Sequence, residues 1–215
     1  MILKELKINT QLADPTNCYI IHDEDTKETM VIDPAGEVDR IVEMLDILQA
    51  KIKCIVITHC HGDHIGGVNE LRKRKGGTIL IHRICANNLN NQEIMLTQYI
   101  GMEPVILDDV KIVDDEDLLH IGNIELGVIH TPGHTNGGIS LHCKEHKMVF
   151  SGDTLFRGTW GRTDLPTGSF EDIMDSIVKK LLKLPDDTLV YPGHGLSIII
   201  CEEKPIYLEL KPRGY

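Results

Sequence analysis

The segment that decides the fold class is CIVITHCHGDH, residues 54–64. It begins with a β-branched apolar run, which is typical of a buried strand. His59 and His61 follow two residues apart in extended chain, so their side chains point the same way. The glycine after them lets the chain bend sharply, so Asp63 and His64 can face the same space. Imidazole and carboxylate together suit Zn²⁺, Fe or Mn better than Ca²⁺ or Mg²⁺.

Three further ligand-type residues each follow a predicted strand. His134 lies in TPGHT, Asp153 ends the motif SGD, and His194 lies in PGHG. Side chains at strand ends can converge on one edge of a sheet. Together with the first cluster they make five His and two Asp, whereas one tetrahedral metal needs only about three or four protein ligands. The count therefore predicts two metals, with Asp153 as the bridge between them.

Short β-rich runs alternate with amphipathic helical patterns along the chain. Strands are predicted at 2–8, 17–22, 29–32, 54–57, 78–81, 124–129, 139–142, 148–150 and 188–190. Helices are predicted over 37–50, 68–75 and 169–184. Ser169 is the predicted cap of the last helix, and the segment 83–104 is predicted to be a helix and loop inserted beside the site. The simplest layering is a single α/β domain, residues 1–215, with helices packed outside sheets.

Charge and composition restrict the partners. The net charge of −11 repels phosphate backbones, so a small-molecule substrate is expected and nucleic acid is not. No apolar run approaches the ~20 residues of a membrane span, and the N-terminus lacks the apolar stretch of a signal peptide. Six scattered cysteines without a CxxC pair indicate free thiols in a reducing cytoplasm. The sequence leaves open whether the protein forms a homodimer.

The four motifs together resemble the metallo-β-lactamase superfamily. THCHGDH (58–64), TPGHT, SGD and PGHG occur in the order of that family, and the resemblance runs from about Ile32 to Gly195. The stretch GDTLFRGTWGRTDLPTGS (152–169) is similar to the small glyoxalase II-like hydrolases in particular. The resemblance implies an αβ/βα sandwich, a four-layer α/β fold with two mixed sheets and helices outside.

The resemblance also implies which residue binds which metal. The implied ligands of one ion are His59, His61 and His134. Those of the other ion are Asp63, His64 and His194. Asp153 would bridge the two ions, in agreement with the ligand count. Two divalent ions are expected, with zinc the first choice and iron or manganese also suited to these ligands.

The expected chemistry follows from the charge of two cations. They lower the pKa of a shared water toward ~7, so a metal-bridging hydroxide can attack a carbonyl at neutral pH. A metal then stabilises the oxyanion, and a thiolate leaves from a thioester. Asp63 is the predicted catalytic residue because it would orient the hydroxide and take a proton. The sequence thus predicts a metal-dependent hydrolase of a thioester or related small ester, similar to glyoxalase II.

Other activities of the same fold stay open. The persulfide dioxygenases share a similar GRTD segment but bind one iron through two His and one Asp, and a lactonase is a further alternative. The full ligand set argues against an inactive metal-binding protein, and the branch resemblance argues against β-lactamase activity. Glyoxalase II also carries a C-terminal helical domain that helps to grip glutathione. Only 20 residues follow Gly195, so that domain is not expected.

Five residues near the ligands have predicted supporting roles. Asp33, which follows a strand, is predicted to shape a loop or support a ligand rather than to bind metal. Arg162 and Asp164 are predicted to form an ion pair that shapes the pocket floor, with substrate contact as the alternative. Cys60 lies between two ligands, but alternation turns it away from them, so it is predicted to be a small buried filler. Trp160 forms either a pocket wall or a packing contact.

Overall fold

Two six-stranded sheets form the centre of the fold, in a computed structural model that describes residues 1–12, 14–89 and 91–209. The strands of the first sheet are β1 (Ile2–Ile8), β2 (Thr16–His22), β3 (Glu28–Ile32), β4 (Lys51–Ile57), β5 (Thr78–His82) and β6 (Val110–Val113). Their spatial order is their chain order. β1, β2 and β3 are antiparallel neighbours, whereas β3 to β6 run parallel, so the sheet is mixed.

The second sheet is also mixed. The remaining strands are β7 (Leu118–Ile121), β8 (Ile124–His130), β9 (Ile139–Cys143), β10 (Met148–Gly152), β11 (Leu155–Phe156), β12 (Thr159–Trp160), β13 (Leu189–Pro192) and β14 (Ile198–Ile199). The second sheet has the order β14-β13-β10-β9-β8-β7, and β10 and β13 are its parallel pair. β11 and β12 form a separate hairpin. This hairpin borders the candidate site.

The helices cover the outer faces of the sheets or carry site residues. They are α1 (Val38–Ile47), α2 (Gly62–Ile65), α3 (Val68–Lys75), α4 (Arg83–Asn88), α5 (Phe170–Asp175) and α6 (Ile200–Glu209). A π-helical turn (Ser176–Lys180) and a 3₁₀ turn (Leu181–Lys183) extend α5. No helix in the described part of the chain is both long and apolar enough to cross a membrane.

Three apolar clusters separate four layers. The first joins the first sheet to α1 and α3, and Ile55 packs there with Ile41. The second lies between the sheets and contains Val56 and Leu141, and the third joins the second sheet to α5 and contains Ile173. Neighbouring residues of β4 therefore enter different cores, which explains why its sequence is apolar without alternation. The αβ/βα sandwich implied by the family resemblance is confirmed.

The outer helices depend on their buried face, and α1 allows a direct test. Ile41 is fully buried, whereas Ile47 on the same helix is 68% exposed. We expect Ile41→Ala to lower the free energy of unfolding by about 2–5 kcal/mol because it leaves a cavity. Ile47→Ala should cost less than about 0.5 kcal/mol. Urea unfolding followed by circular dichroism measures both changes, and equal losses would contradict the contact between α1 and the sheet.

The helix predicted over 169–184 is less regular than its apolar stripe indicates. Its start is confirmed, since Ser169 Oγ accepts a hydrogen bond from Asp172 N at 3.2 Å. The continuous α-helix is wrong, because the chain widens into the π-helical turn at Ser176. The buried Ser176 hydroxyl donates to the carbonyl of Pro132 at 2.7 Å. A tertiary contact, which helical periodicity does not encode, accompanies the change.

Some elements are absent from the sequence-based prediction. The strands β6, β7 and β14 are short, and α6 contains Pro205, a residue that argues against a helix. The predicted insert over 83–104 begins with α4 and continues in turns, and its residue Asn90 lies outside the described residues. Residues 210–215 of the predicted single domain also lie outside them, so the domain extent stays a prediction.

Candidate metal centre

The ligand-type side chains lie beyond the carboxyl ends of four strands. After β4 the backbone of His61 stays extended, with φ −68° and ψ 145°, and the single turn of α2 follows. This turn carries Asp63 and His64 back towards His59 and His61. The loops after β8, β10 and β13 carry His134, Asp153 and His194. Two sheets thus contribute to one site.

The structure brings all seven ligand-type residues into one cluster. Three overlapping groups of side chains have ligand atoms that lie within 4.8 Å of one another. The groups are His59, His61 and His134; His59, His64 and Asp153; and Asp63, His64 and His194. The first and third groups are the two ligand sets that the family resemblance implies, and the second group joins them.

Asp153 lies between the two halves of the cluster. Its Oδ2 is 3.5 Å from His134 Nε2 and 3.5 Å from His194 Nε2, and its Oδ1 is 3.5 Å from His64 Nε2. Its side chain is only 9% exposed. One carboxylate therefore reaches ring nitrogens in both halves, as a bridging ligand must.

Backbone carbonyls fix the outer nitrogens of two rings. His134 Nδ1 is 2.8 Å from the carbonyl oxygen of Arg162, and His194 Nδ1 is 3.0 Å from that of Pro15. A carbonyl oxygen can only accept, so Nδ1 of each ring carries the proton. The Nε2 of each neutral ring then keeps its lone pair and faces the cluster, which is the tautomer that binds a metal.

His64 and His194 face each other in a way that favours a cation between them. His64 Nδ1 donates to Asp33 Oδ2 at 2.9 Å, so its Nε2 also carries a lone pair when the ring is neutral. The two Nε2 atoms are 3.3 Å apart, and Asp63 Oδ2 lies 3.3 Å from His194 Nε2. Facing lone pairs repel unless a proton or metal ion satisfies them. These donors suit a divalent transition metal.

Buried atoms without hydrogen-bond partners also indicate that the cluster suits metal ions. Within the described residues, His59 Nε2, His61 Nε2 and Asp153 Oδ1 are buried and make no hydrogen bond. Leaving a buried polar group unpaired costs about 1–3 kcal/mol, and folded proteins rarely do so. His61 Nδ1 lies 2.9 Å from His134 Nε2 and is the nitrogen of that ring that faces the cluster, so metal ions would satisfy His59 Nε2 and Asp153 Oδ1 but not His61 Nε2. The donors that face the cluster fit the two-metal centre that the family resemblance implies.

Local charge divides the histidines into two kinds. Burial, helped by neighbouring imidazoles, lowers the pKa of His59 well below its usual value and that of His61 to about 3. These rings therefore stay neutral, the form that binds metal. Burial also disfavours the charged form of His64, but the carboxylates of Asp153 and Asp63 outweigh it and raise the pKa well above the usual value. His64 thus lies where the chain concentrates negative charge.

The two carboxylates of the cluster stay ionised. Burial acts to raise the pKa of each, but the imidazoles of His64 and His194 outweigh it. The pKa of Asp63 is therefore lowered, and that of Asp153 lies well below its usual value. The positive charge that balances these two buried carboxylates is that of the imidazolium forms of His64 and His194, and divalent metal ions would supply it in their place.

Asp33 holds a ring of the cluster in place. It is 1% exposed, and its Oδ2 accepts hydrogen bonds from His64 Nδ1 and, at 2.6 Å, from Thr58 Oγ1. Its Oδ1 accepts from Thr58 N at 2.8 Å. Both oxygens are thus committed to the protein. Such a carboxylate fixes the orientation of a histidine ligand without binding the metal itself.

We expect Asp33→Asn to weaken metal binding by about 10–100-fold. The amide has nearly the same size, but its NH₂ group cannot accept the proton of His64 Nδ1. The ring then loses the group that fixes its tautomer. Titration of the metal-free protein with zinc against a chelator measures the affinity. Asp39→Asn, at a 92% exposed position on α1, is the matched control. Wild-type affinity in the Asp33 variant would show that Asp33 does not orient His64.

Arg162 and Asp164 form the ion pair that the sequence predicts, but not at the pocket floor. Arg162 Nε and Nη2 donate to the two carboxylate oxygens of Asp164 at 3.0 and 2.9 Å. The side chains are 60% and 70% exposed, so the pair lies at the rim of the cavity. The backbone contributes more directly to the site, since the Arg162 carbonyl holds His134.

Cys60 and Trp160 both pack away from the cluster. Cys60 is 1% exposed in the first apolar cluster, beside the buried thiol of Cys85, as alternation along the strand predicts. Trp160 contacts Phe170 and Tyr207 at ring-centroid distances of 5.8 and 6.0 Å, so it is a packing residue. All six cysteines are free thiols.

A cavity of about 720 Å³ opens above the cluster. Its floor contains His61, Asp63, His134, Asp153 and His194. Its apolar wall contains Leu12, Leu96, Tyr99, Ile100, Phe156, Leu165 and Leu196. It is also lined by Lys7 and Arg157, neither of which sequence reasoning singled out. Lys7 lies in no quoted motif, and nothing in the stretch 152–169 distinguishes Arg157 from its neighbours, because only the fold brings these two residues to one cavity.

Comparison with known proteins agrees with the geometry. The family model of the metallo-beta-lactamase superfamily matches residues 12–194. A Haemophilus influenzae protein named hydroxyacylglutathione hydrolase GloC is 34% identical over 194 residues, which cover 87% of this chain and 89% of that protein. The crystal structure of the BLEG-1 B3 metallo-beta-lactamase has a TM-score of 0.88 and 30% identity, covering 98% of this chain and 100% of that one.

A second solved structure bears on the metals. The crystal structure of TTHA1623 in a di-iron-bound form has a TM-score of 0.82 and 27% identity, and the similarity covers 94% of this chain and 96% of that one. Family match, fold and clustered ligand-type residues therefore agree over most of the chain. The chain belongs to the metallo-beta-lactamase superfamily.

Proposed function

We propose that the protein is a two-metal hydrolase that cleaves a thioester or a related small ester. The observation that carries this proposal is the position of Asp153, whose carboxylate lies 3.5 Å from ring nitrogens of both His134 and His194. A single tetrahedral ion would leave several of the seven clustered groups unused. Two ions that share Asp153 would use them all.

Each half of the cluster would hold one ion. The proposed ligands of the first ion are His59, His61 and His134. Those of the second are Asp63, His64 and His194. When bound, two divalent cations would supply an acidified water and would withdraw charge from a substrate carbonyl. Zinc suits these donors best and iron or manganese also fit, and the di-iron form of a relative supports the second choice.

Asp63 is the proposed catalytic residue. It lines the cavity and is 5% exposed, and its Oδ2 lies 3.3 Å from His194 Nε2. Because its pKa is lowered, it is ionised at neutral pH and acts mainly as a hydrogen-bond acceptor. It would hold the attacking water towards the carbonyl carbon and receive its proton. Neither a nucleophilic serine nor a nucleophilic cysteine is needed.

The cavity supports a small, partly apolar substrate. Its wall is largely aliphatic and aromatic, whereas its polar groups are concentrated at the floor. Pockets of this kind bind small molecules and orient them through a few polar groups. The relative named hydroxyacylglutathione hydrolase supports a thioester in particular, because that name describes hydrolysis of an acyl–sulfur bond.

Metal analysis combined with assays of four substrate classes tests the proposal. Protein purified without added metal should contain two ions per chain and should hydrolyse an S-acylglutathione. It should consume no oxygen with glutathione persulfide. One iron per chain with oxygen uptake would overturn the proposal in favour of a dioxygenase. Hydrolysis of a lactone or a β-lactam without hydrolysis of thioesters would support the metal centre but would contradict a thioester as the substrate.

A further inference from the structure

We infer that Lys7 and Arg157 form an anion-binding edge of the cavity that selects substrates carrying a carboxylate away from the scissile carbonyl. This inference rests on the proposed hydrolase function and names the substrate class. The two side chains belong to different parts of the fold, since Lys7 lies on β1 and Arg157 lies in the turn between β11 and β12. Both line the cavity above the metal-binding cluster.

The cavity mouth is cationic although the chain is acidic. The net charge of the protein is −11. Among the described residues that line the cavity, the cations are Lys7, Arg157 and Arg162. Apart from the predicted ligands, the carboxylate that these residues include is Asp14. Because Asp164 neutralises Arg162, the positive excess at the mouth is that of Lys7 and Arg157 over Asp14, and it attracts anions to this place on an acidic protein.

Two of the three cations are available to a ligand. Arg162 is bound through two hydrogen bonds to Asp164, so its guanidinium is already neutralised. Lys7 Nζ donates to the Gly195 carbonyl at 3.3 Å and approaches the exposed Glu5 only to 4.0 Å. Arg157 is exposed, and its charge acts on the nearby Glu203 carboxylate, but no carboxylate of the described residues forms a salt bridge with it. Lys7 and Arg157 therefore keep their charge for a bound anion.

Both cations line the same cavity, and each is connected to the neighbourhood of His194. The Gly195 carbonyl that contacts Lys7 directly follows His194 in the chain. Arg157 directly follows Phe156, whose ring centroid lies 6.2 Å from that of His194. Leu196, the residue after Gly195, adds an apolar surface to the cavity lining. We therefore expect a substrate whose carbonyl lies over the cluster to reach these cations with a carboxylate.

The turn that carries Arg157 is held rigidly by α6. Glu203 is 3% exposed, and its two carboxylate oxygens accept from Gly158 N at 3.2 and 3.0 Å. Tyr207 Oη donates to the Thr159 carbonyl at 2.8 Å. The backbone on which Arg157 stands is thus fixed before a ligand binds. Preorganisation of this kind reduces the entropy that binding costs.

Neutral variants of the two cations test the inference. Lys7→Met and Arg157→Met remove one charge each from exposed side chains of similar length, and the double variant removes both. The matched control is Lys144→Met, an exposed lysine in the turn between β9 and β10, at the ends of those strands remote from the cluster. Circular dichroism and the metal content of each variant check that the fold and the metal centre are intact.

The probes are isosteric thioester pairs that differ only in charge. In one pair the thiol is 3-mercaptopropionate or its amide, and in the other the acyl group is succinyl or succinamyl. We expect wild-type and control proteins to prefer the anionic member of at least one pair. Each single variant should lower that preference in kcat/KM about fivefold through KM, with kcat unchanged. An unchanged preference in the double variant would overturn the inference.

A binding measurement separates failure of the inference from failure of the proposed function. Calorimetric titration of the zinc-loaded protein with 3-(ethylthio)propionate and with its amide needs no hydrolysis. If the wild type hydrolyses no thioester, the proposed function fails, and the titration still decides the inference. The anion-binding edge is supported if the wild type binds the carboxylate more tightly than the amide and the double variant does not. The inference would be refuted if the ratio of the amide Kd to the carboxylate Kd were the same in the double variant and in the Lys144 control.

Discussion

Asp153→Ala should lose both metal ions and all measurable hydrolysis while the fold is retained. The carboxylate of Asp153 lies 3.5 Å from ring nitrogens of His64, His134 and His194. Its removal leaves Asp63 as the one carboxylate of the cluster, facing two dications. Loss of an outer partner of a metal ligand typically costs 10–100-fold in affinity or activity, and loss of a shared ligand should cost more than about 100-fold. The substitution lies outside the three apolar clusters, so the fold should persist.

Metal content per chain, measured by mass spectrometry after gel filtration, decides the result. Thioester hydrolysis and the far-ultraviolet circular dichroism spectrum complete the measurement. Asp187→Ala is the matched control, because this aspartate is 60% exposed and pairs with Lys147 on the surface. It should keep two ions and full activity. Wild-type metal content in the Asp153 variant would refute the bridging role, and loss of only one ion would assign Asp153 to a single half.

The ligand-bearing strands are predictable because sequence neighbours carry the information. In β4 a β-branched apolar run leads directly to His59 and His61, and the glycine bend sends Asp63 and His64 to the same cluster. Each remaining ligand-type residue lies in the loop that follows a strand, since β8 ends at His130, β10 at Gly152 and β13 at Pro192. The carboxyl ends of β8, β10 and β13 lie at one edge of the second sheet, so local patterns predict that their ligand-type residues meet. β4 belongs to the first sheet, and only the packing of the two sheets brings its residues to the same cluster. The pairing of the sheets into four layers came from the family resemblance and not from periodicity.

The walls of the cavity are not predictable in the same way. Lys7 and Arg157 are far apart in the chain, and only the folded structure places both in the lining of one cavity. The helix that holds the Arg157 turn contains Pro205, so local propensity argues against it. The Arg162–Asp164 pair is evident from sequence proximity, but its exposure depends on the path of the loop. Tertiary contacts decide these features, and a single sequence does not display them.

Gly193→Ala should also abolish metal binding, although it removes no ligand. A Cβ at Gly193 would overlap Asp153 Oδ1 and come within 2.7 Å of His64 Cε1. Neither neighbour can yield easily, because Asp33 holds the His64 ring and Asp153 is enclosed by imidazoles. The backbone of Gly193 cannot retreat either, since its N–H donates to Gly152 O at 2.8 Å and its carbonyl accepts from the first sheet at 2.7 Å. The methyl group must therefore displace the ligands.

We expect this overpacking to lower the free energy of unfolding by about 1–3 kcal/mol and activity by more than about 100-fold. Gly36→Ala is the matched control, because its Cβ would meet only Ile8 Cγ2 at an ordinary 3.6 Å. Zinc titration and thermal unfolding of both variants are the measurements. Metal loss in Gly193→Ala would show that two ions require the spacing of the ligands as well as their chemistry. Wild-type zinc affinity in this variant would mean that Asp153 and His64 can move apart without loss, and it would contradict a tightly enclosed bridge at Asp153.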